Sequence, residues 1–252
     1  MISAVILTKN EEKNIYDCLE SISWVDEIVV VDDNSLDRTV DVIRKYSSKV
    51  KIFKNYLNGD FSVQRNFALS KTTKDWVLFV DADERISKEL REEINIVLIG
   101  EKNNPKNKGF YIPRKDIMWG RILKHGETGN IKLLRLAKRD AGVWLGKVHE
   151  EWVIDGRVGE LDGKIIHYPH QTINQFLNEI NFYTTIRAKE LYEKKTNTSS
   201  RDLILYPNGK FFVNYFLKLG FLDGIEGLVV SILMSFHSYL VRAKLWSYYQ
   251  KS

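Results

Sequence analysis

Short apolar runs punctuate the first eighty residues, and each gives way to polar or acidic residues at its end. Ile2-Ser3-Ala4-Val5-Ile6-Leu7-Thr8, Glu27-Ile28-Val29-Val30-Val31, Val50-Lys51-Ile52-Phe53 and Trp76-Val77-Leu78-Phe79-Val80 are short and rich in β-branched and aromatic residues. That pattern predicts buried strands. Between them the period lengthens: Ile15, Leu19 and Ile22 share one helical face, a second helix is expected from about Asp37 to Tyr46, and a third near Gln64 to Ser70. Strands alternating with helices predict an α/β fold with a mostly parallel central sheet and right-handed crossovers. In open sheets of this kind ligands bind outside the carboxyl ends of the strands. Thr8 to Glu11, Asp32-Asp33 and Asp81-Ala82-Asp83 all fall at that edge.

Asp81 and Asp83 carry the most chemistry. Side chains two apart on an extended chain point the same way, and two converging carboxylates suit Mg²⁺ or Mn²⁺, whose remaining positions are filled by water and substrate phosphate. The implied ligand is a diphosphate. Taken alone, Asp-x-Asp also fits an ordinary acidic turn.

Composition narrows the classes. A 252-residue chain that is 44% hydrophobic can bury a sizeable core. The single cysteine, Cys18, excludes an internal disulfide and a cysteine-rich zinc site. No basic-then-apolar leader precedes the first strand, so export is not expected. The net charge of +5 comes with no nucleic-acid-binding motif, and nucleic acid is not an expected partner.

Three motifs in order, Ala4-Val5-Ile6-Leu7-Thr8-Lys9-Asn10-Glu11-Glu12, Val30-Val31-Asp32-Asp33-Asn34-Ser35-Leu36-Asp37-Arg38-Thr39 and Phe79-Val80-Asp81-Ala82-Asp83-Glu84, resemble the family 2 inverting glycosyltransferases with the GT-A fold. Gln64-Arg65-Asn66, the stretch at Lys132-Leu133-Leu134-Arg135-Leu136, Val148-His149-Glu150 and Gly220-Phe221-Leu222-Asp223-Gly224-Ile225-Glu226-Gly227 are similar to the lipopolysaccharide core glucosyltransferase subgroup. The resemblance implies a GT-A catalytic domain over residues 1–170, with a nucleotide-sugar half at 1–100 and an acceptor half at 101–170. A helical appendage would then occupy 171–252.

That resemblance also implies roles. Thr8, Asn10 and Glu11 would line the base and ribose pocket, Asp33 would accept a hydrogen bond from the nucleobase, usually uracil in the family, and Arg65 would approach the diphosphate or base. Asp83 would be the direct metal ligand, with Asp81 reaching the cation through water or touching the ribose. Inverting transfer needs a general base for the acceptor hydroxyl. The resemblance points to Glu150, with Glu151 in contention because other branches use the second acid. His149 is readable as a metal ligand, a diphosphate contact or plain structure, and Arg135 and Trp119 are acceptor candidates. Expected partners are a nucleotide-sugar donor and a lipopolysaccharide-core or other lipid-linked acceptor. Two other readings compete: a sugar-phosphate nucleotidyltransferase, weakened because Leu7 to Lys13 contains no glycine, and a nucleotide-sugar-binding scaffold without turnover.

Glu101 to Lys108 has the composition of an exposed loop after a helix ending near Ile99. Beyond His170, Phe176, Ile180, Tyr183, Ile186 and Leu191 mark one helical face. Ile225 to Leu240 is nearly continuous apolar sequence, short of the roughly twenty residues of a membrane span. Arg242, Lys244 and Lys251 follow with Trp246, Tyr248 and Tyr249, a mixture suited to anionic headgroups. The expected location is therefore the cytoplasmic face of the inner membrane, held peripherally; packing on the catalytic domain or a homodimer through the C-terminal helices is the competing expectation.

Overall fold

The computed structural model describes residues 1–147 and 150–250. The chain divides into two units, one formed by 1–114 with 131–167, the other by 115–130 with 168–252.

In the first unit, β1 (Ile2–Thr8), β2 (Glu27–Asp32), β3 (Val50–Lys54) and β4 (Trp76–Asp81) alternate with α1 (Ile15–Ser21), α2 (Thr39–Tyr46) and α3 (Phe61–Lys71). Their order in the sheet is β3-β2-β1-β4, all parallel. The apolar runs are continuous because both faces are covered: β1, β2 and β4 supply Ile6, Ile28 and Leu78 to one core and Val5, Val29 and Phe79 to the other. Helix α3 begins three residues earlier than the periodicity predicts because Asp60 caps it, accepting from Val63 N.

Beyond β4 the sheet turns antiparallel through β8 (Lys132–Lys138) and β6 (Gly109–Met118), so the mostly parallel expectation describes its first four strands. The short strand β5 (Glu84–Ile86) pairs antiparallel with β12 (Ile165–His167), with His167 opposite Glu84. A separate ribbon of β9 (Gly142–Leu145) and β10 (Glu151–Ile154) brings Trp144 opposite Trp152. β11 (Val158–Glu160) adds to β6. Helix α4 (Lys88–Asn103) runs past Ile99, and Glu101 is buried, accepting from Lys106 N and from the Asn107 backbone and side-chain amides. The segment after it, expected as a plain exposed loop, is thus organised around one carboxylate.

In the second unit, the end of β6 and β7 (Arg121–Leu123) form a hairpin whose two-residue turn, Trp119-Gly120, has both φ values positive, +50° and +80°. Met118 and Leu123 pack with Phe176 and Ile180 of α5 (Ile173–Glu193) and Val230 of α7 (Gly224–Gln250), and Trp119 closes that cluster. This packing joins residues 115–130 to the helices, although they lie inside the span expected to be catalytic. Helix α6 (Ser200–Phe212) continues into a π-helical turn, Val213–Leu217, and a 3₁₀ turn, Gly220–Asp223. The segment running through that 3₁₀ turn and α7 is, among the described residues, the one helix long and apolar enough to cross a membrane, further than the Ile225–Leu240 run alone suggests.

Candidate active site

The carboxyl ends of β1 and β2 are clasped to each other. Asn10, at φ +57°, donates its backbone N–H to Ser35 Oγ at 2.9 Å and accepts Leu36 N on Oδ1 at 2.8 Å. Glu11 N donates to Thr39 Oγ1 at 2.7 Å, and the Glu11 carboxylate accepts from Asn14 Nδ2. Asn10 and Glu11 therefore hold the loops together. Thr8 is buried with its hydroxyl lacking a hydrogen-bond partner, and buried Asp33 accepts Leu57 N at 3.0 Å and Lys9 Nζ at 2.8 Å.

At the end of β4 lies a second cluster, built by three consecutive residues of α3. Gln64 Nε2 donates to Asn55 O at 2.9 Å. Asn66 exchanges two hydrogen bonds with the Trp144 backbone, 2.8 and 2.9 Å, pinning the β9–β10 ribbon onto α3. Between them, buried Arg65 donates from Nε to Glu150 Oε1 at 2.7 Å and from Nη2 to Asp81 Oδ1 at 3.1 Å, with its guanidinium 4.7 Å from the Trp144 ring centre. The ribbon that Asn66 anchors is the element that carries Glu150 to Arg65.

Arg135, on β8, donates to Asp81 Oδ2 at 2.5 Å and stands 3.6 Å from Glu84 Oε1. Its charge is paired with these two carboxylates. Trp119 is a packing residue of the second unit's apolar cluster. Burial alone would raise the Asp81 carboxyl, but Arg135 and Arg65 together hold it well below the ordinary carboxylate range. For Glu84, fully buried and accepting Asp81 N at 2.9 Å, burial outweighs Arg135 and pushes the carboxyl up, with the Asp81 charge adding to it. The two acids three positions apart are thus driven in opposite directions.

Asp83 has a different partner. Its Oδ2 lies 3.2 Å from His167 Nε2, a contact created by the β5–β12 pairing. No sequence motif marks His167, which lies 84 residues downstream of Asp83; only the register reveals it. Glu150 is nearly buried, whereas Glu151 is exposed at the start of β10. His149 lies outside the described residues. Among the described residues no three carboxylate, imidazole or thiolate side chains converge as a ready-made metal cage.

The "Glycosyl transferase family 2" sequence pattern matches residues 3–95, which hold every strand-end motif described above. An uncharacterized glycosyltransferase of Rickettsia typhi is 31% identical over 97% of this chain and 86% of its own length. The chain belongs to the family 2 glycosyltransferases. Among other members of that family, the lipopolysaccharide core biosynthesis glycosyltransferase LpsC of Rhizobium meliloti is 27% identical over 97% of this chain and 92% of its length. The fold agrees: S. aureus TarS 1-349 superposes with a TM-score of 0.52 at 17% identity, covering 100% of this chain and 92% of that one. A second structure, of TarS 1-349 in complex with UDP, gives 0.50 at 18% identity with the same coverage. The architecture is GT-A, α/β with helices flanking a curled sheet, and the chain is a glycosyltransferase; family membership sets the nucleotidyltransferase reading aside.

Proposed function

We propose that this glycosyltransferase moves a sugar, with inversion, from a UDP-sugar to a hydroxyl of a lipopolysaccharide-core or other lipid-linked glycan at the cytoplasmic face of the membrane. The observation that carries the reading is Arg65, one buried guanidinium that holds Glu150 and Asp81 at once. It joins the proton acceptor to the end of β4, where the departing diphosphate is expected. Similarity to LpsC over nearly the full chain supports the acceptor class, and the UDP complex of a protein with this fold supports the nucleotide.

Thr8 and Asp33 are assigned to the nucleoside: Asp33 would accept the N–H of the base once Lys9 swings away, and the unpartnered Thr8 hydroxyl has a bond to give. Lys9 is largely exposed, so breaking its pair with Asp33 costs at most about 1 kcal/mol. Arg65 and Arg135 each keep a buried guanidinium nitrogen without a hydrogen-bond partner, Nη1 and Nε, as expected of groups that meet an anionic ligand.

The residues fit a divalent cation. Asp83 Oδ2 and His167 Nε2 stand 3.2 Å apart, a carboxylate and an imidazole of the donor types that divalent cations take. Asp83 and His167 would hold it, and when bound it would neutralise charge developing on the leaving diphosphate. Asp81 contributes by fixing the two arginines. Glu150 accepts the proton of the attacking hydroxyl, in preference to Glu151, because Arg65 orients its carboxylate whereas Glu151 is exposed.

The test is transfer from radiolabelled UDP-sugars to extracted core glycolipid, with parent, Glu150→Gln and Glu151→Gln. Glu150→Gln should keep donor-induced thermal stabilisation and lose transfer by at least a hundredfold, about the range of a general base, while Glu151→Gln retains it. Full transfer by Glu150→Gln sinks the base assignment. Donor binding by the parent without either transfer or slow hydrolysis would favour the scaffold reading.

A further inference from the structure

The expected membrane contact is the basic and aromatic C-terminal tail, but several of its side chains are engaged within the protein, while Trp246 stays 48% exposed. Lys244 Nζ lies within 2.6–2.8 Å of Asn181 O and Oδ1, Thr184 Oγ1 and Thr185 Oγ1 on α5. Arg242 stacks on Tyr206 at 3.9 Å, and Tyr249 donates to Thr196 O. Lys251 lies outside the described residues. The second half of α7 is thereby tied to α5, which is lined with Glu179, Arg187, Lys189, Glu190 and Glu193. A bilayer crossing by α7 would have to carry these bonds and charges into hydrocarbon or break them, and either is costly.

The opposite end of the helical pair is different. From Leu203 through Leu222 there is no acidic residue and there are two lysines, Lys210 and Lys218. At the bend between α6 and α7, Phe212, Phe216, Leu217, Leu219, Phe221 and Leu222 are all exposed, Leu217 by 66%. Contiguous apolar surface of this kind marks an interaction site. The backbone there is satisfied within the bend: Lys218 N donates to Val213 O at 2.8 Å, Leu219 N to Phe216 O, Leu222 N to Leu219 O, and Gly126 N to Lys218 O at 2.9 Å. Buried Asp223 locks the bend to the loop before it, accepting Lys124 N, His125 N and His125 Nδ1. Gly220 and Gly227 let the turns touch, since a Cβ on Gly227 would stand 2.0 Å from Gly220 O. A non-helical turn can enter the apolar boundary of a bilayer when its polar groups are paired in this way.

We infer that the bend at residues 211–225 dips into one leaflet of an anionic bilayer, with Lys218 at headgroup level and the chain remaining on one side of the membrane. This rests on the glycolipid-acceptor reading only for its biological sense; the surface stands on its own chemistry. Glu127, on the loop beside the bend, is taken up by Lys210 at 2.8 Å, so the free positive charge at the tip, among the described residues, is Lys218, which is exposed and complements phosphate headgroups.

The test is flotation of the full chain with vesicles of phosphatidylglycerol and phosphatidylcholine against phosphatidylcholine alone. The parent should float with the acidic vesicles. The triple variant Phe216→Ser, Leu217→Ser, Phe221→Ser removes half-exposed side chains together with the ring contacts of Phe216 and Phe221 to Tyr215, and should lose roughly a hundredfold or more in partitioning while keeping a cooperative unfolding transition and its donor response. Lys218→Gln should lose about fivefold on acidic vesicles and nothing on neutral ones. The inference is overturned if the triple variant floats like the parent, if the bound parent resists alkaline carbonate as a spanning protein does, or if the parent ignores vesicles and the triple variant instead turns a dimer into a monomer. Donor-induced stabilisation, measured on the same samples, is expected to be equal in parent and variants, so failure of the surface and failure of the transferase reading are told apart.

Discussion

Replacing Arg65 with Met removes a guanidinium that serves two carboxylates from a buried position. Its bonds are 2.7 Å to Glu150 and 3.1 Å to Asp81. At an effective dielectric near 20, each unit-charge contact at about 4 Å between charge centres is worth roughly 4 kcal/mol before desolvation. Asp81 keeps Arg135 in direct contact, but Glu150, 13% exposed, is left with only the more distant charge of Arg135 among the described residues. Removing one member of a buried pair typically costs about 3–5 kcal/mol, most of it the stranded charge. The expected loss is therefore about 3 kcal/mol, read as a lower urea midpoint with an unchanged slope. Tryptophan fluorescence is the suitable probe, since Trp144 lies against the guanidinium and belongs to the same unit. The double variant Arg65→Met, Glu150→Leu, which strands no charge at Glu150, should recover about 2 kcal/mol of that loss through coupling. A loss below about 1 kcal/mol for the single variant, or no recovery in the double, would refute the claim that Arg65 is the structural link between the two acids.

Asp83→Asn and His167→Ala should each weaken Mn²⁺-dependent stabilisation by UDP at least tenfold, and Asp83→Asn, at a side chain 28% exposed, should leave the metal-free unfolding temperature within about 3 °C; calorimetry checks it, and unaltered Mn²⁺ affinity in either variant removes that residue from the metal site. Burial raises Glu27, but hydrogen bonds from Lys51, Ser3 and Thr73 outweigh it and lower the carboxyl from 4.5 to about 2. A depressed carboxyl contributes stability above its unfolded value that is lost as the pH falls through its folded one, so Glu27→Gln should cost about 3 kcal/mol at neutral pH and progressively less between pH 4.5 and about 2; urea titrations across that range check it. Gly227→Ala forces a methyl to within 2.0 Å of Gly220 O and should cost about 3 kcal/mol, seen as early melting of helical circular dichroism.

Sequence periodicity exposes the parallel half of the sheet because β1, β2 and β4 are buried on both faces and carry almost no polar interruption. The same logic places Asp33, Asp81 and Asp83 at strand ends before any coordinate is seen. What periodicity cannot reach is pairing between distant segments. Arg135 reads as one basic residue in a short strand, and only the β4–β8 register turns it toward Asp81. His167 depends likewise on β12 meeting β5. Trp119 reads as a sugar-stacking ring, yet its turn, with φ +50°, directs it into an apolar cluster. In the tail, composition alone suggested headgroup contacts for Lys244 that four oxygens on α5 already take up.

Cys18 lies wholly buried under the end of β4, its thiol donating to Asp81 O at 3.5 Å, and burial pushes that thiol far above the range where thiolate forms in neutral solution. Alkylating reagents react with thiolate, so the native chain is silent toward them while folded. One cysteine introduced at an exposed position such as Leu217 would then accept a spin label or fluorophore alone, with no need to delete the natural residue beneath the catalytic strand.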